Sequence, residues 1–87
     1  MQNIDIVNVK YMLSHVAHEF DSQTFIADVE EHYSGEFYNI NFQRGYSTYT
    51  LEVEGERLAR WLAADETSPD TIDMVDSVKL AVEELTN

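Results

Sequence analysis

The chain has 87 residues, with 17 acidic side chains against 5 basic ones, a formal net charge of −12, and no cysteine. That length makes one domain, residues 1–87, with room for a modest core and little for a deep catalytic cleft. The missing cysteines exclude disulfides, a thiolate nucleophile and a cysteine zinc site, and the charge opposes direct contact with nucleic acid or an anionic membrane surface.

The N-terminus, MQNIDIVNVKYML, has no basic segment and no unbroken apolar run, so no signal peptide is expected there. No stretch approaches the roughly 20 apolar residues of a membrane span. A cytoplasmic location is the expectation. Asn3 or Asp5 can cap a first helix running to about Phe20, because Val9, Met12, Leu13, Val16 and Phe20 form an apolar stripe at helical spacing. From there a meander is predicted, punctuated by Gly35, Gly45 and Gly55. The segment 22–33 reads two ways. Phe25, Ala27, Val29 and Tyr33 share one strand parity, while Phe25, Val29 and Tyr33 also repeat at helical spacing. Tyr38, Ile40 and Phe42 alternate with Asn39, Asn41 and Gln43, a half-buried strand. Arg44-Gly45 is the expected hairpin turn. Beyond it Tyr49, Leu51 and Val53 alternate with Thr48, Thr50 and Glu52.

A short helix is expected from Glu56 to Ala64, carrying Leu58, Trp61 and Leu62. The last helix has the sharpest start: Ser68 as cap, Pro69 at the first helical position and Asp70 in the first turn. At 100° per residue Ile72, Val75, Val78, Val82 and Leu85 share one arc, and Asp70, Asp73, Asp76, Glu83 and Glu84 fill the opposite one. The predicted fold is therefore α+β: an N-terminal helix, a two- to three-stranded antiparallel meander, and two C-terminal helices packed on one sheet face.

The acids group into rows. Glu52, Glu54 and Glu56 alternate at the end of the last strand, with same-face neighbours about 6.7 Å apart, on the scale of successive phosphates. Asp70, Asp73 and Asp76 make a row on the last helix, and Glu83 and Glu84 put acid at a helix end where the dipole favours base. Asp28, Glu30, Glu31 and Glu36 flank the first glycine turn, where acids also protect an exposed strand edge. Each row has a plain alternative as a solvated face. Tyr46, beside the hairpin turn, is the tyrosine expected at the surface, where this residue type serves interfaces. His15 and His18 stand three apart, but two surface histidines make no zinc site without further ligands. The stretch Asp65–Asp76 is no calcium loop, with Pro69 at the fifth position and no glycine at the sixth. There is no GxSxG, phosphate-binding glycine loop or HExxH. No enzyme activity, cofactor or metal is expected.

In size, charge and α-meander-α layout, and in the rows Glu52/Glu54/Glu56 and Asp70/Asp73/Asp76, the chain resembles the small acidic inhibitors encoded by phages and mobile elements, the DNA-mimic and anti-CRISPR proteins. The likeness is one of class and carries no shared motif. It implies a protein that fills a basic nucleic-acid-binding groove on its target, as anti-CRISPR and anti-restriction proteins do. The expected partner is a basic, nucleic-acid-binding protein, with no direct nucleic acid and no membrane. The expected contact residues are Glu30, Glu31, Glu36, Tyr46, Glu52, Glu54, Glu56, Asp70, Asp73 and Asp76. Two alternatives stand beside it: an immunity protein or antitoxin that neutralises a basic nuclease toxin by the same physics, and a small structural or assembly domain.

Overall fold

Asp5 starts the first helix: its carboxylate accepts hydrogen bonds from the backbone N–H of Val7 at 3.1 Å and Asn8 at 3.2 Å. The computed structural model describes residues 4–87, so Asn3, the other candidate cap, lies outside the described residues. Helix α1 spans Ile6–Phe20 and buries Val9, Leu13 and Ala17. It stops at Asp21, whose Oδ2 accepts from the Thr24 hydroxyl at 2.6 Å and from Arg44 Nε at 2.7 Å. Thr24 is fully buried, so these bonds fix the angle at which the chain turns into the sheet.

Segment 25–32 is a strand, β1 (Phe25–His32), and not a helix. It pairs antiparallel with β2 (Phe37–Arg44), which pairs antiparallel with β3 (Ser47–Glu54), in the order β1-β2-β3. The expected inward set of β1 is corrected by a bulge. Ile26 faces Phe42 and Asp28 faces Asn41, leaving Ala27 as the extra residue. Strand parity therefore flips within β1, so that Ile26 and Val29 are buried while Phe25 is exposed.

Between β1 and β2 the chain reverses through a left-handed turn, Tyr33–Gly35, with φ of 53°, 57° and 91° at its three residues. Glycine is favoured at position 35 on two counts. Its φ is left-handed, and a Cβ would sit 3.3 Å from the Tyr38 hydroxyl. The second turn is Gly45-Tyr46, one residue later than the expected Arg44-Gly45, because Arg44 still pairs with Ser47. Gly45 has φ +61°, and Tyr46 does not share the positive φ, the pattern of a turn with glycine at its first central position. The third glycine punctuates no turn: Gly55 opens helix α2 (Gly55–Leu62), and its N–H donates to the Glu36 carbonyl at 2.8 Å.

Helix α3 spans Pro69–Thr86 with Ser68 as cap, its hydroxyl accepting from the Asp70 N–H at 3.1 Å. Its buried side is Met74, Val78, Ala81, Val82 and Leu85. Relative to the predicted arc this is a rotation: Val75 is half-buried and Ile72 is 55% exposed. The wheel gives an apolar arc, but neighbouring elements choose which part of it is covered. Helix α1 lies over β1, and α3 lies over β3 and β2 and against α1 and α2. All the helices occupy one face of the sheet, meeting Tyr38, Ile40, Phe42 and Val53 in a single core. No helix among the described residues is long and apolar enough to cross a membrane.

Candidate functional site

A three-stranded sheet with helices on one side leaves the other side open. Strand parity assigns that side Phe25, Asp28, Glu30 and His32 from β1, Phe37, Asn39, Asn41 and Gln43 from β2, and Thr48, Thr50, Glu52 and Glu54 from β3. The register places Glu30, Asn39 and Glu52 in one row across the strands, and His32, Phe37 and Glu54 in the next. Strands are about 4.8 Å apart, so Glu30 and Glu52 stand roughly 10 Å apart across the face, with Glu52 and Glu54 about 6.7 Å apart along it.

Neutral side chains brace this face. Thr50 Oγ1 donates to Asn41 Oδ1 at 2.8 Å, and Asn41 Nδ2 donates to Glu30 Oε1 at 2.9 Å, a relay crossing all three strands. Asn39 Nδ2 lies 3.1 Å from His32 Nε2, and donates to it when that nitrogen is unprotonated. Glu30 has a hydrogen-bond partner in this relay, whereas Glu52 and Glu54 are exposed and make no side-chain hydrogen bond or ion pair among the described residues. At the end of the face Glu54 joins Glu36, Glu56, Gly35 and Phe37 around a recess of about 300 Å³. Tyr33 stands beside it, 78% exposed, its ring edge-on to Phe37 at 6.3 Å.

No lysine or arginine stands on this face among the described residues. Arg44 turns to the end of α1 to meet Asp21 at 2.7 Å. Arg57 Nε lies 3.0 Å from Asp73 Oδ2, a charge contact off the hydrogen-bonding line, while its Nη2 donates to Ser77 Oγ at 2.6 Å. Arg60 lies between Glu56 at 3.4 Å and Asp70 at 3.5 Å. Lys10 and Lys79 are exposed on α1 and α3.

Of the ten expected contact residues, Glu30, Glu52 and Glu54 share the open face, and Glu36 and Glu56 flank its end. The other five are placed elsewhere. Asp70 and Asp73 are engaged by Arg60 and Arg57. Asp76 is exposed on α3, which covers the opposite side of the sheet. The two acidic rows therefore do not merge into one surface, because β3 turns Glu52 and Glu54 away from the layer to which α3 belongs. Glu31 falls on the helix-side parity, opposite Tyr38. Tyr46 is fully exposed, as expected, but sits at the far end of the sheet from Glu54. The sequence-based contact set leaves out Asp28, Asn39, Asn41, Thr50 and Phe37. Alternation in β2 and β3 already marks Asn39, Asn41 and Thr50 as outward-facing.

Two groups on the helix side titrate away from their usual values. Asp21 is lowered, chiefly by the hydrogen bond from Thr24 and then by Arg44, with desolvation opposing. Tyr38 is raised, first by burial and then by the charge and hydrogen bond of Glu31. No group of three or more His, Asp or Glu side chains among the described residues is arranged to hold a metal ion. Comparison of the chain with protein-family models, with curated proteins and with solved structures gives no match.

Proposed function

We propose that the open sheet face is a binding surface for a basic protein, and that the chain inhibits a nucleic-acid-binding target by occupying its basic groove. The observation that carries this reading is the segregation of charge. Every lysine and arginine of the 87 residues lies off the open face, while Asp28, Glu30, Glu52 and Glu54 lie on it. A face with both signs interspersed is the ordinary solution for solubility. Negative charge without local compensation costs stability, and it steers a cationic partner towards the face. The pleat spaces the residues that carry these carboxylates about 6.7 Å apart along a strand and about 4.8 Å apart between strands, on the scale of phosphates along a duplex. Asn39, Asn41 and Thr50 add hydrogen-bonding groups between them.

The test is capture of partners from host lysate on the immobilised chain, compared with a Glu52→Lys/Glu54→Lys variant. These two acids are chosen because neither has a partner to lose, whereas Glu56 is tied to Arg60. The expected catch is nucleic-acid-binding protein that elutes between about 0.1 M and 1 M salt, where the Debye length falls from about 10 to 3 Å. A duplex oligonucleotide should displace it, and the double variant should not retain it. Salt-insensitive capture, no competition by oligonucleotide, or full capture by the folded variant would each end the mimicry reading.

A further inference from the structure

On the helix side, a groove of about 520 Å³ runs between α1 and the α2–α3 pair. Its walls are Met12 and Val16 from α1, Trp61 and Leu62 from α2, and Val75 from α3. Except for Trp61, which is 5% exposed, these side chains are only half-buried. Tyr11 on the rim is 75% exposed. Closing the core does not require this opening: Leu13, Met74 and Val78 beneath it are already sealed. The volume falls within the roughly 300–1,000 Å³ of ligand-binding clefts.

The rim decides the occupant. The charged side chains that line the groove are Glu19 and Glu66, with His15 beside them and no lysine or arginine. Neither glutamate is in an ion pair among the described residues. A second copy of the chain is disfavoured, since it would bring like rims together on two bodies of charge −12 each. An extended peptide gains little here, because the walls are helices whose backbone groups are already bonded and offer no strand edge. We propose that this groove binds an amphipathic basic helix of a partner protein. Its apolar side chains would insert between Val16, Trp61 and Val75, and its lysines or arginines would meet Glu19 and Glu66, a helix-in-groove mode. This second surface is independent of the open sheet face.

The experiment uses the full chain, isotope-labelled, and a synthetic leucine/lysine peptide about five turns long with leucines at helical i, i+3, i+4 and i+7 positions. A serine/lysine peptide of equal charge is the control. The leucine/lysine peptide should shift the Trp61 indole and the Val16 and Val75 methyl resonances. The serine/lysine peptide should shift none of the groove signals. Ala64→Arg, which fills the groove, should weaken binding at least about tenfold, and Glu52→Lys/Glu54→Lys should not. If Ala64→Arg fails to fold, Glu19→Lys/Glu66→Lys on the exposed rim gives the same weakening. The proposal is overturned if the groove signals stay in place, or if both peptides act alike on them. It is equally overturned if the groove variants bind at full strength, or if sedimentation shows a dimer that these variants dissociate.

Discussion

On the helix side of the sheet each arginine has an acid: Arg44 with Asp21, Arg57 with Asp73, Arg60 with Glu56 and Asp70. On the open side Glu52 and Glu54 stand with neutral neighbours, Asn39 and Phe37 across the strand pair. The contrast shows that the few cations of a chain of net charge −12 are not spread evenly over its surface. The three arginines are placed where helices must be joined to each other and to the sheet. Arg57 ties α2 to α3 through Asp73 and Ser77, and Arg44 ties β2 to the end of α1. Acids without an ion pair occur on both sides, Glu19, Glu66 and Asp76 on the helix side and Glu52 and Glu54 on the sheet, but the open face carries no lysine or arginine to offset them. The helix side, where the core sits, should therefore govern stability, and the open side should contribute little to it.

Four substitutions separate these roles, taken from the largest effect down. Trp61→Ala empties the packing between α2 and the core, and should cost about 3–5 kcal/mol by denaturant unfolding; a near-neutral result would mean that α2 is not what holds that side together. Arg57→Ala leaves Asp73 and Ser77 without their partner, and should cost about 1–2 kcal/mol, an amount limited by the exposure of Asp73. Glu52→Lys/Glu54→Lys should move the other way, stabilising by up to about 1 kcal/mol, or up to about 4–8 °C in Tm for a domain of this size. The gain should shrink as salt screens the face. A loss of stability in this variant would show that the open face does packing work.

The smallest effect concerns pH. Asp21 has a folded pKa below its unfolded value, so its contribution is present above the unfolded carboxylate range near 3.9. It is lost as pH falls through the lower folded value. Asp21→Asn should flatten that acid limb in a pH series of Tm, with Thr24→Ala giving a partial version. Tyr38 has the opposite sign. Its raised pKa keeps its contribution intact below about pH 10 and removes it as pH rises through the folded value.

Much of the fold is legible from short-range signals. Asp5, Ser68 and Pro69 declare two helix starts through hydrogen bonds that reach only two or three residues along the chain. Alternation in residues 38–43 and 48–53 declares two strands and both of their faces. The segment 25–32 resists the same treatment, because the bulge at Ala27 breaks its alternation and only pairing with β2 reveals it. Gly55 misleads for a related reason: it marks a change of direction, but the chain leaves it as a helix packed on the core instead of another hairpin.

The site divides along the same line. Sequence by itself determined the α+β layout, the excess of acid and the outward parity of Glu52 and Glu54, because caps and alternation act over a few residues. Tertiary structure alone decided which acids are free. Arg57 and Arg60 reach Asp73 and Asp70 over 16 and 10 positions of chain, and the crossing of α2 on α3 brings them together. It also decided that the acidic rows of β3 and α3 lie on different sides. A pleated strand turns successive residues to opposite faces, and the helices could bury only one of them.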